Sequence, residues 1–370
     1  MNPQIENEKE SDNNILTFTL SGVNVSLANA IRRIILSDIE IVVCKTTPYE
    51  ENKMNISKNT SRLNNEILKQ RLSCIPIYIS DPDIQIKDYL LEVDVENLTD
   101  TIMYVTTEDF KVKNKTTGEF LKKVDNDKIF PPNSFTGYYI DFARLRQKIS
   151  DDIPGEKLQF TCEFSYGTAK EDAMFNVTSI CSYGMTNDVV NMELELNKKV
   201  QSWRNDGLSP EVIKFESENW KLLDGKRIVV KDSFDFTIQT LGIFMNQELV
   251  QKACVLIIKK LQHLDNLIDV NELVVVPSEN VMKNCFDIVL ENEDYTIGKI
   301  LEYTLYSKYY ENIKTMTYCG FVKLHPHDTD SIIRIAYKEL TEKMVIHQNL
   351  KECIKDLVQV YQKIFDKFNL

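Results

Sequence analysis

The chain has 370 residues, 43% of them hydrophobic and 27% charged, with a formal charge of −12. A chain of this length divides its core among two or three units. Its acidic balance argues against autonomous nucleic-acid binding unless basic residues cluster, and no apolar run reaches the roughly 18–20 residues of a membrane span.

The opening "MNPQIENEKESDNN" is acidic and polar, unlike a secretory or transit signal, and is expected to form a disordered tail over 1–12. "ILTFTL" (15–20) is a β-rich run that turns at Ser21-Gly22. The segment 26–38, "SLANAIRRIILSD", has Ser26 as a candidate N-cap, with Leu27, Ala30, Ile31, Ile34 and Ile35 at the spacing of one buried helical face. "IEIVVCKT" (39–46) is the next expected strand. From Pro48 the chain turns polar, with short β-branched and aromatic runs: "SCIPIYIS", "YLLEVDVENL", "TIMYVTTEDFKV", "FTGYYIDFARL" and "LQFTCEFSYG". These imply a mainly antiparallel unit.

Residues 186–225 are helical and polar, followed by the strand "FDFTIQTLGIF" and an apolar-striped helix over 247–264. "LVVVP" and "CFDIVLENED" are further β runs, and "TIGKILEYTL" (296–305) repeats the pattern of the first helix without its arginines. "MTYCGFVKLH" and "SIIRIAYKEL" form a hairpin-like pair, and 340–368 is a long amphipathic helix. Ser26 and Thr296 take equivalent places in the repeat, 270 residues apart (296 − 26). Two related units in one chain can pack as an internal pseudo-dimer.

Catalytic templates are absent from the sequence: neither GxxxxGK[ST] nor GxGxxG occurs. Eight cysteines (44, 74, 162, 181, 254, 285, 319 and 353) form no CxxC or CxC, as expected for reduced core residues of an intracellular protein. "HPHD" (325–328) is better explained as a turn with surface histidines than as a metal site, since no second Cys/His pair accompanies it. His263 and His347 are ordinary helix histidines, and no pair among the acids stands out as a general acid and base. Arg32 and Arg33 are the only charges between Ser26 and Asp38. A solvated face would accommodate them, but Arg also suits planar hydrogen bonding at an interface.

"SLANAIRRIILSDIEIVV" resembles the LANAIRR helix of the α-type assembly subunits of multi-subunit RNA polymerases, which include the bacterial α and archaeal D subunits. "NTSRLNNEILKQRLSCIPI" (59–77) resembles the segment leading into that family's inserted domain, and "GTAKEDAMFNVTSICSY" (167–183) the segment leading out. "FDFTIQTLGIFMNQELVQKACVLIIKKL" resembles its closing strand and helix. "NEDYTIGKILEYTLY", "YCGFVKLHPHD" and "IIRIAYKE" resemble the smaller L-type partner. The chain therefore resembles a D-type and an L-type subunit fused head to tail, an arrangement known from some large DNA viruses of eukaryotes. Departures are Asp172 and Met174 for the family's His and Lys, Ala169 for a glycine, and Tyr295 and Lys299 for His and Asn. The insert lacks closely spaced cysteines and so resembles metal-free members.

The resemblance implies an α+β fold of two related α-subunit-type dimerisation units in an intramolecular pseudo-dimer, the first interrupted by an antiparallel β insert domain. The expected boundaries are a D-type domain over 13–47 and 177–264, the insert over 48–176, a linker over 265–283 and an L-type domain over 284–370. Leu27, Ile31, Ile34, Ile297, Ile300, Leu301 and Leu305 would form the pseudo-dimer interface. Asn29, Arg32 and Arg33 would face a large subunit, and Glu66, Arg71, Lys170 and Asp172 would lie on loops contacting small or large subunits. The implied role is a non-catalytic assembly platform of a DNA-directed RNA polymerase. It would join the largest and second-largest subunits and hold small zinc-bearing subunits. No catalytic residue, metal or cofactor of its own is expected, nor sequence-specific nucleic-acid binding, membrane contact or a homodimer. The expected location is intracellular: a viral factory and virion if the chain is viral, otherwise the nucleus. A repurposed polymerase fragment acting as a transcription regulator is the alternative; a free-standing enzyme has only "HPHD" and scattered acids in its favour.

Overall fold

The computed structural model describes residues 1–81, 84–150, 152–278 and 282–368. They group into two compact units, one of Met1–Ile35, Ile180–Gln239 and Asn246–Leu370, the other of Leu36–Ser179 and Thr240–Met245. In chain order the elements begin with β1 (Gln4–Ser11), β2 (Ile15–Ser21) and α1 (Val25–Ser37). Then come β3 (Ile41–Val43), β4 (Met54–Asn59), α2 (Asn65–Ser73), β5 (Tyr89–Glu96), β6 (Met103–Thr106) and β7 (Lys111–Asn114). They continue with α3 (Lys123–Ile129), β8 (Asp141–Leu145), β9 (Lys157–Glu163), β10 (Ser165–Gly167) and β11 (Thr178–Asn187). Next are α4 (Val189–Asn205), α5 (Pro210–Leu222), β12 (Val229–Thr240) and α6 (Asn246–Asp269). The last six are β13 (Val275–Pro277), β14 (Cys285–Leu290), α7 (Tyr295–Leu305), β15 (Met316–Val322), β16 (Ser331–Tyr337) and α8 (Lys343–Lys367).

The first unit contains one topology twice. Its sheets run β1-β2-β12-β11 and β13-β14-β16-β15. In each, two strands precede a capped helix (α1 or α7), and two later strands precede a long helix (α6 or α8). The strand alternation explains both sheets: Leu16, Phe18 and Leu20 of β2 are buried, as are Phe234, Phe236 and Ile238 of β12. Phe18 stacks on Phe236 at 5.0 Å and meets Phe368 edge-on at 5.1 Å. Alternation likewise buries Ile333 and Ile335 of β16 opposite Ile288 of β14.

The helices α6 and α8 form the main helical seam. Leu249, Val250, Ala253, Cys254, Ile257, Leu261 and Leu264 make one buried stripe on α6. Leu350, Cys353, Ile354, Leu357, Tyr361 and Ile364 make another on α8. Gln251 near the start of α6 donates to the Phe368 carbonyl after α8, at 3.0 Å. Lys351 in the first half of α8 pairs with Asp265 and Asp269 at the far end of α6, so the helices run antiparallel.

Four expectations change here. Residues 4–11 are not a disordered tail but β1, paired with β2 through a register irregularity between Glu6 and Lys9. Its side chains are nearly all exposed, so no hydrophobic pattern betrays it, and its charges suit a sheet edge. Asn24, not Ser26, caps α1: its Oδ1 accepts from the Ser26 N–H (3.0 Å) and hydroxyl (2.9 Å). The stretch 265–283 is not simply a linker, because α6 continues to Asp269 and β13 pairs with β14. "SCIPIYIS" is not a ladder strand: Ser73 ends α2, and Ile75, Ile77 and Ile79 are buried along an irregular extended segment.

The second unit packs a sheet of order β4-β9-β5-β7 with the two-stranded sheet β6-β8; β3 and β10 form another pair. Phe110, Phe130, Phe142 and Phe160 share its core, with Phe110 edge-on to the other three. One corner rests on the fully buried Asn97. Its amide donates to the carbonyls of Thr101 (2.8 Å) and Leu145 (2.9 Å), and its Oδ1 accepts from Thr99. Gly155 passes so close that a Cβ there would stand 1.7 Å from the Asn97 carbonyl oxygen. Gly155→Ala is therefore expected to destabilise this unit by about 1–3 kcal/mol, the usual range for overpacking. Thermal unfolding checks it, and an unchanged Tm would contradict the tight approach.

Candidate functional site: the seam at the two capped helices

The capped helices match residue for residue at the same 270-residue offset. Asp294 caps α7 by accepting from the Thr296 N–H at 2.8 Å, as Asn24 caps α1 through Ser26 (294 − 24 and 296 − 26 are both 270). Their apolar faces agree too. Leu27, Ile31 and Ile34 on α1 and Ile297, Ile300, Leu301 and Leu305 on α7 are all buried. On α7, Gly298 leaves room for the Phe321 ring, whose nearest carbon would lie 1.9 Å from an added Cβ.

The polar positions differ in sign. On α1, Asn29 Oδ1 accepts from Arg32 Nε (3.0 Å) and from its terminal nitrogen (2.8 Å). The corresponding positions of α7 carry Lys299 and Glu302, paired at 2.6 Å. One helix thus presents a cation at the position where the other presents an anion. Arg32 also faces β11, where it opposes the upward shift that burial imposes on the Cys181 thiol and the Tyr183 phenol.

Arg33 behaves otherwise. Its Nε donates to the Thr296 hydroxyl at 2.8 Å and its guanidinium pairs with the Asp294 carboxylate at 2.7 Å. The residue that sequence reasoning set facing a large subunit is engaged inside the chain, on the cap of the second helix. Burial alone would raise the Asp294 pKa; hydrogen bonds from Thr296 and the Arg33 charge outweigh it and hold the carboxyl below its ordinary value. Tyr361 completes the seam from α8, donating from its buried hydroxyl to the Leu27 carbonyl at 3.3 Å. Lys260 of α6 reaches Glu293, next to the cap, at 3.2 Å. Sequence reasoning placed Tyr361 on the apolar side of the last helix without its contact to α1 and missed Asp294, for which the i, i+2 capping geometry at Asp294-Tyr295-Thr296 was the available signal.

The expected contact-loop residues lie in the second unit. Glu66 pairs with Lys69 at 3.0 Å on α2, and Arg71 on the same helix donates to the carbonyls of Phe142 and Asp141, each at 2.7 Å. The Lys170 N–H donates to the Ser37 carbonyl at 2.8 Å, while Asp172 accepts from the Met174 N–H at 3.2 Å, capping the turn that follows. Lys45 and Thr46 draw the two segments together. Lys45 pairs with Glu171 at 3.0 Å, and the Thr46 hydroxyl donates to the Lys69 carbonyl at 3.1 Å. Cys74 Sγ then lies 3.9 Å from Met174 Sδ.

Among the described residues no group of three or more His, Cys, Asp or Glu side chains is arranged to hold a metal ion. The His325 and His327 rings lie 5.2 Å apart, tilted by 35°, in an exposed turn closed by Asp328. Elemental analysis of the purified chain is expected to find no stoichiometric zinc or iron. One equivalent of either would mean a site that these residues do not reveal.

Comparison with known proteins bears on the same segments. The model of the RNA polymerase Rpb3/Rpb11 dimerisation domain matches residues 17–261. A conjugation stage-specific protein of Tetrahymena thermophila is 21% identical over 299 residues, 69% of this chain and 91% of the relative. The RPAC1 subunit of DNA-directed RNA polymerases I and III from Bos taurus is 24% identical over 303 residues, 69% of this chain and 82% of the relative. Its Dictyostelium discoideum counterpart is 25% identical over 300 residues, 70% of this chain and 80% of the relative. With α1, the whole second unit and most of α6 inside the matched range, the chain belongs to the RNA polymerase Rpb3/Rpb11 dimerisation-domain family.

Proposed function

We propose that this chain is a non-catalytic assembly subunit of a DNA-directed RNA polymerase, in which one polypeptide supplies both members of an α-type pair. The observation that carries the reading is the duplicated topology of the first unit, joined across the Arg33–Asp294 contact. The D-type half is 13–47 with 177–264, interrupted by the insert over 48–176, and the L-type half is 284–370. The buried faces of α1 and α7, together with the α6–α8 seam, support reading the pair as an intramolecular pseudo-dimer. RPAC1 is by its name a subunit of polymerases I and III, which supports the same role here.

In this reading the platform gathers the largest and second-largest polymerase subunits and holds small zinc-bearing subunits. Nucleotidyl transfer belongs to those partners. Asn29 and Arg32 present the donor surface for a large subunit, while Arg33 fixes the helix pair behind it. Glu66, Arg71, Lys170 and Asp172 serve the contact loops. The chain acts where its polymerase acts: the nucleus, or the cytoplasmic factory and virion if its source is a large DNA virus. The test is affinity purification of the tagged chain from its native source. Both large polymerase subunits are expected in equimolar amount. Recovery without them would favour a repurposed fragment acting as a regulator.

A further inference from the structure

Four of the chain's nine arginines line one groove in the second unit, with a volume of about 460 Å³ along β8: Arg62, Arg71, Arg144 and Arg146. This concentration stands out in a chain of net charge −12 whose other cations are mostly lysines. Three of them are also held in place. Arg71 is oriented by two backbone carbonyls, of Phe142 and Asp141, each at 2.7 Å, which fix its fork without neutralising its charge. The Arg144 guanidinium lies 5.9 Å from the ring centre of Tyr104, its cross-strand neighbour. Arg146 pairs with Glu156 at 2.6 Å yet keeps about half its side chain exposed (52%). Arg62 makes no ion pair among the described residues. Against four cations stand Asp141, on the groove wall, and Glu156, so the groove keeps a surplus of positive charge.

Its remaining wall is apolar and open. Ile102 and Tyr104 are each 52% exposed, beside Leu63. Arginine and tyrosine around an uncovered aliphatic side chain are the composition of a binding patch rather than of a solvated surface. The volume suits a few side chains. A nucleic acid would need a basic track continuing past the groove across an acidic chain; a short acidic peptide needs only the groove.

We propose that this groove binds an acidic peptide segment of a partner protein, its carboxylates forked onto Arg62 and Arg144 and an apolar side chain seated on Ile102 and Tyr104. The proposal stands independently of the polymerase reading, because the chain alone suffices to test it. The probe is a fluorescein-labelled eight-residue peptide of Asp and Glu around one Phe, titrated with the full chain and read by anisotropy. The controls are the same peptide with Asn and Gln in place of the acids, and a labelled oligothymidylate. Wild type is expected to bind the acidic peptide at least about tenfold more tightly than either control, with affinity falling as salt rises. Arg62→Glu with Arg144→Glu should abolish the difference, at a Tm near that of wild type because neither side chain carries a buried contact. Arg62→Gln, the milder change, should weaken binding about threefold or more. No acid-specific binding, equal or tighter binding of the oligonucleotide, or binding that survives both sets of variants would each overturn the proposal.

Discussion

Tyr361→Ala is expected to destabilise the first unit by about 3–5 kcal/mol, the range for removing a large aromatic from a packed core. Tyr361 is fully buried on α8, among the largest side chains that are, and it is the one that reaches the backbone of α1. Its loss removes ring packing on the α6–α8 stripe and unties Leu27. Tyr361→Phe separates the two contributions. It keeps the ring and gives up one hydrogen bond of 3.3 Å, so about 0.5–1 kcal/mol is expected. Burial pushes the phenol well above its ordinary pKa, so the hydroxyl remains a donor at alkaline pH. Urea titration of both variants measures the difference. A Tyr361→Ala variant within about 1 kcal/mol of wild type would mean that α8 is not anchored on α1.

The two adjacent arginines are expected to fail differently when reversed. Arg33→Glu sets a carboxylate against Asp294 and removes a donor from the Thr296 hydroxyl, weakening the seam itself. Both partners are about one-third exposed (36% and 33%), so the loss is about 1–2 kcal/mol rather than that of a buried pair. Its pH dependence has a definite sign. The folded Asp294 pKa is depressed, so the stabilisation is fully present above the unfolded value near 3.8 and disappears as pH falls through the folded value. In Arg33→Glu that acid-limb dependence should shrink. Arg32→Glu breaks the local contact with Asn29 and reverses the charge facing Cys181 and Tyr183 but severs no ion pair among the described residues, so the isolated chain should melt within about 1 kcal/mol of wild type. Assembly should nevertheless fail, since an interfacial arginine is worth on the order of 2 kcal/mol or more, roughly thirtyfold in affinity, before repulsion is added. Glu302→Lys, the matching change on α7, should be milder. Tm of the isolated variants and copurification with the second-largest subunit read both effects. Normal assembly by Arg32→Glu would contradict the donor surface assigned to it.

Much of the fold was legible because strong periodicity and strong burial coincide in it. β2, α1, α6, α7 and α8 carry apolar stripes that the structure buries nearly intact. The elements that escaped notice bury little. β1 is an exposed edge, and α3 contains one buried residue, Asn126, whose amide serves Phe110 and Val112 instead of packing. In α2 only Leu68 and Leu72 mark the helical face, over nine residues. The site was legible in part for a related reason. Two arginines among aliphatics announce that polar work is done there, but their direction depends on the helix pairing. Arg33 turns toward Asp294, 261 residues away, while its neighbour stays with Asn29 on its own helix. No local pattern encodes that separation. The repeat of capped helix and flanking strands was legible in the sequence; what it lacked was β1, the first sheet's counterpart to β13.

The central claim is that one chain provides both halves of the α-type pair, and the most direct test counts subunits in the assembled enzyme. Native mass spectrometry of the complex purified through this chain should give one copy of it per copy of each large subunit, with no separate L-type subunit. A second copy of the chain, or a distinct small subunit occupying the place of residues 284–370, would contradict it.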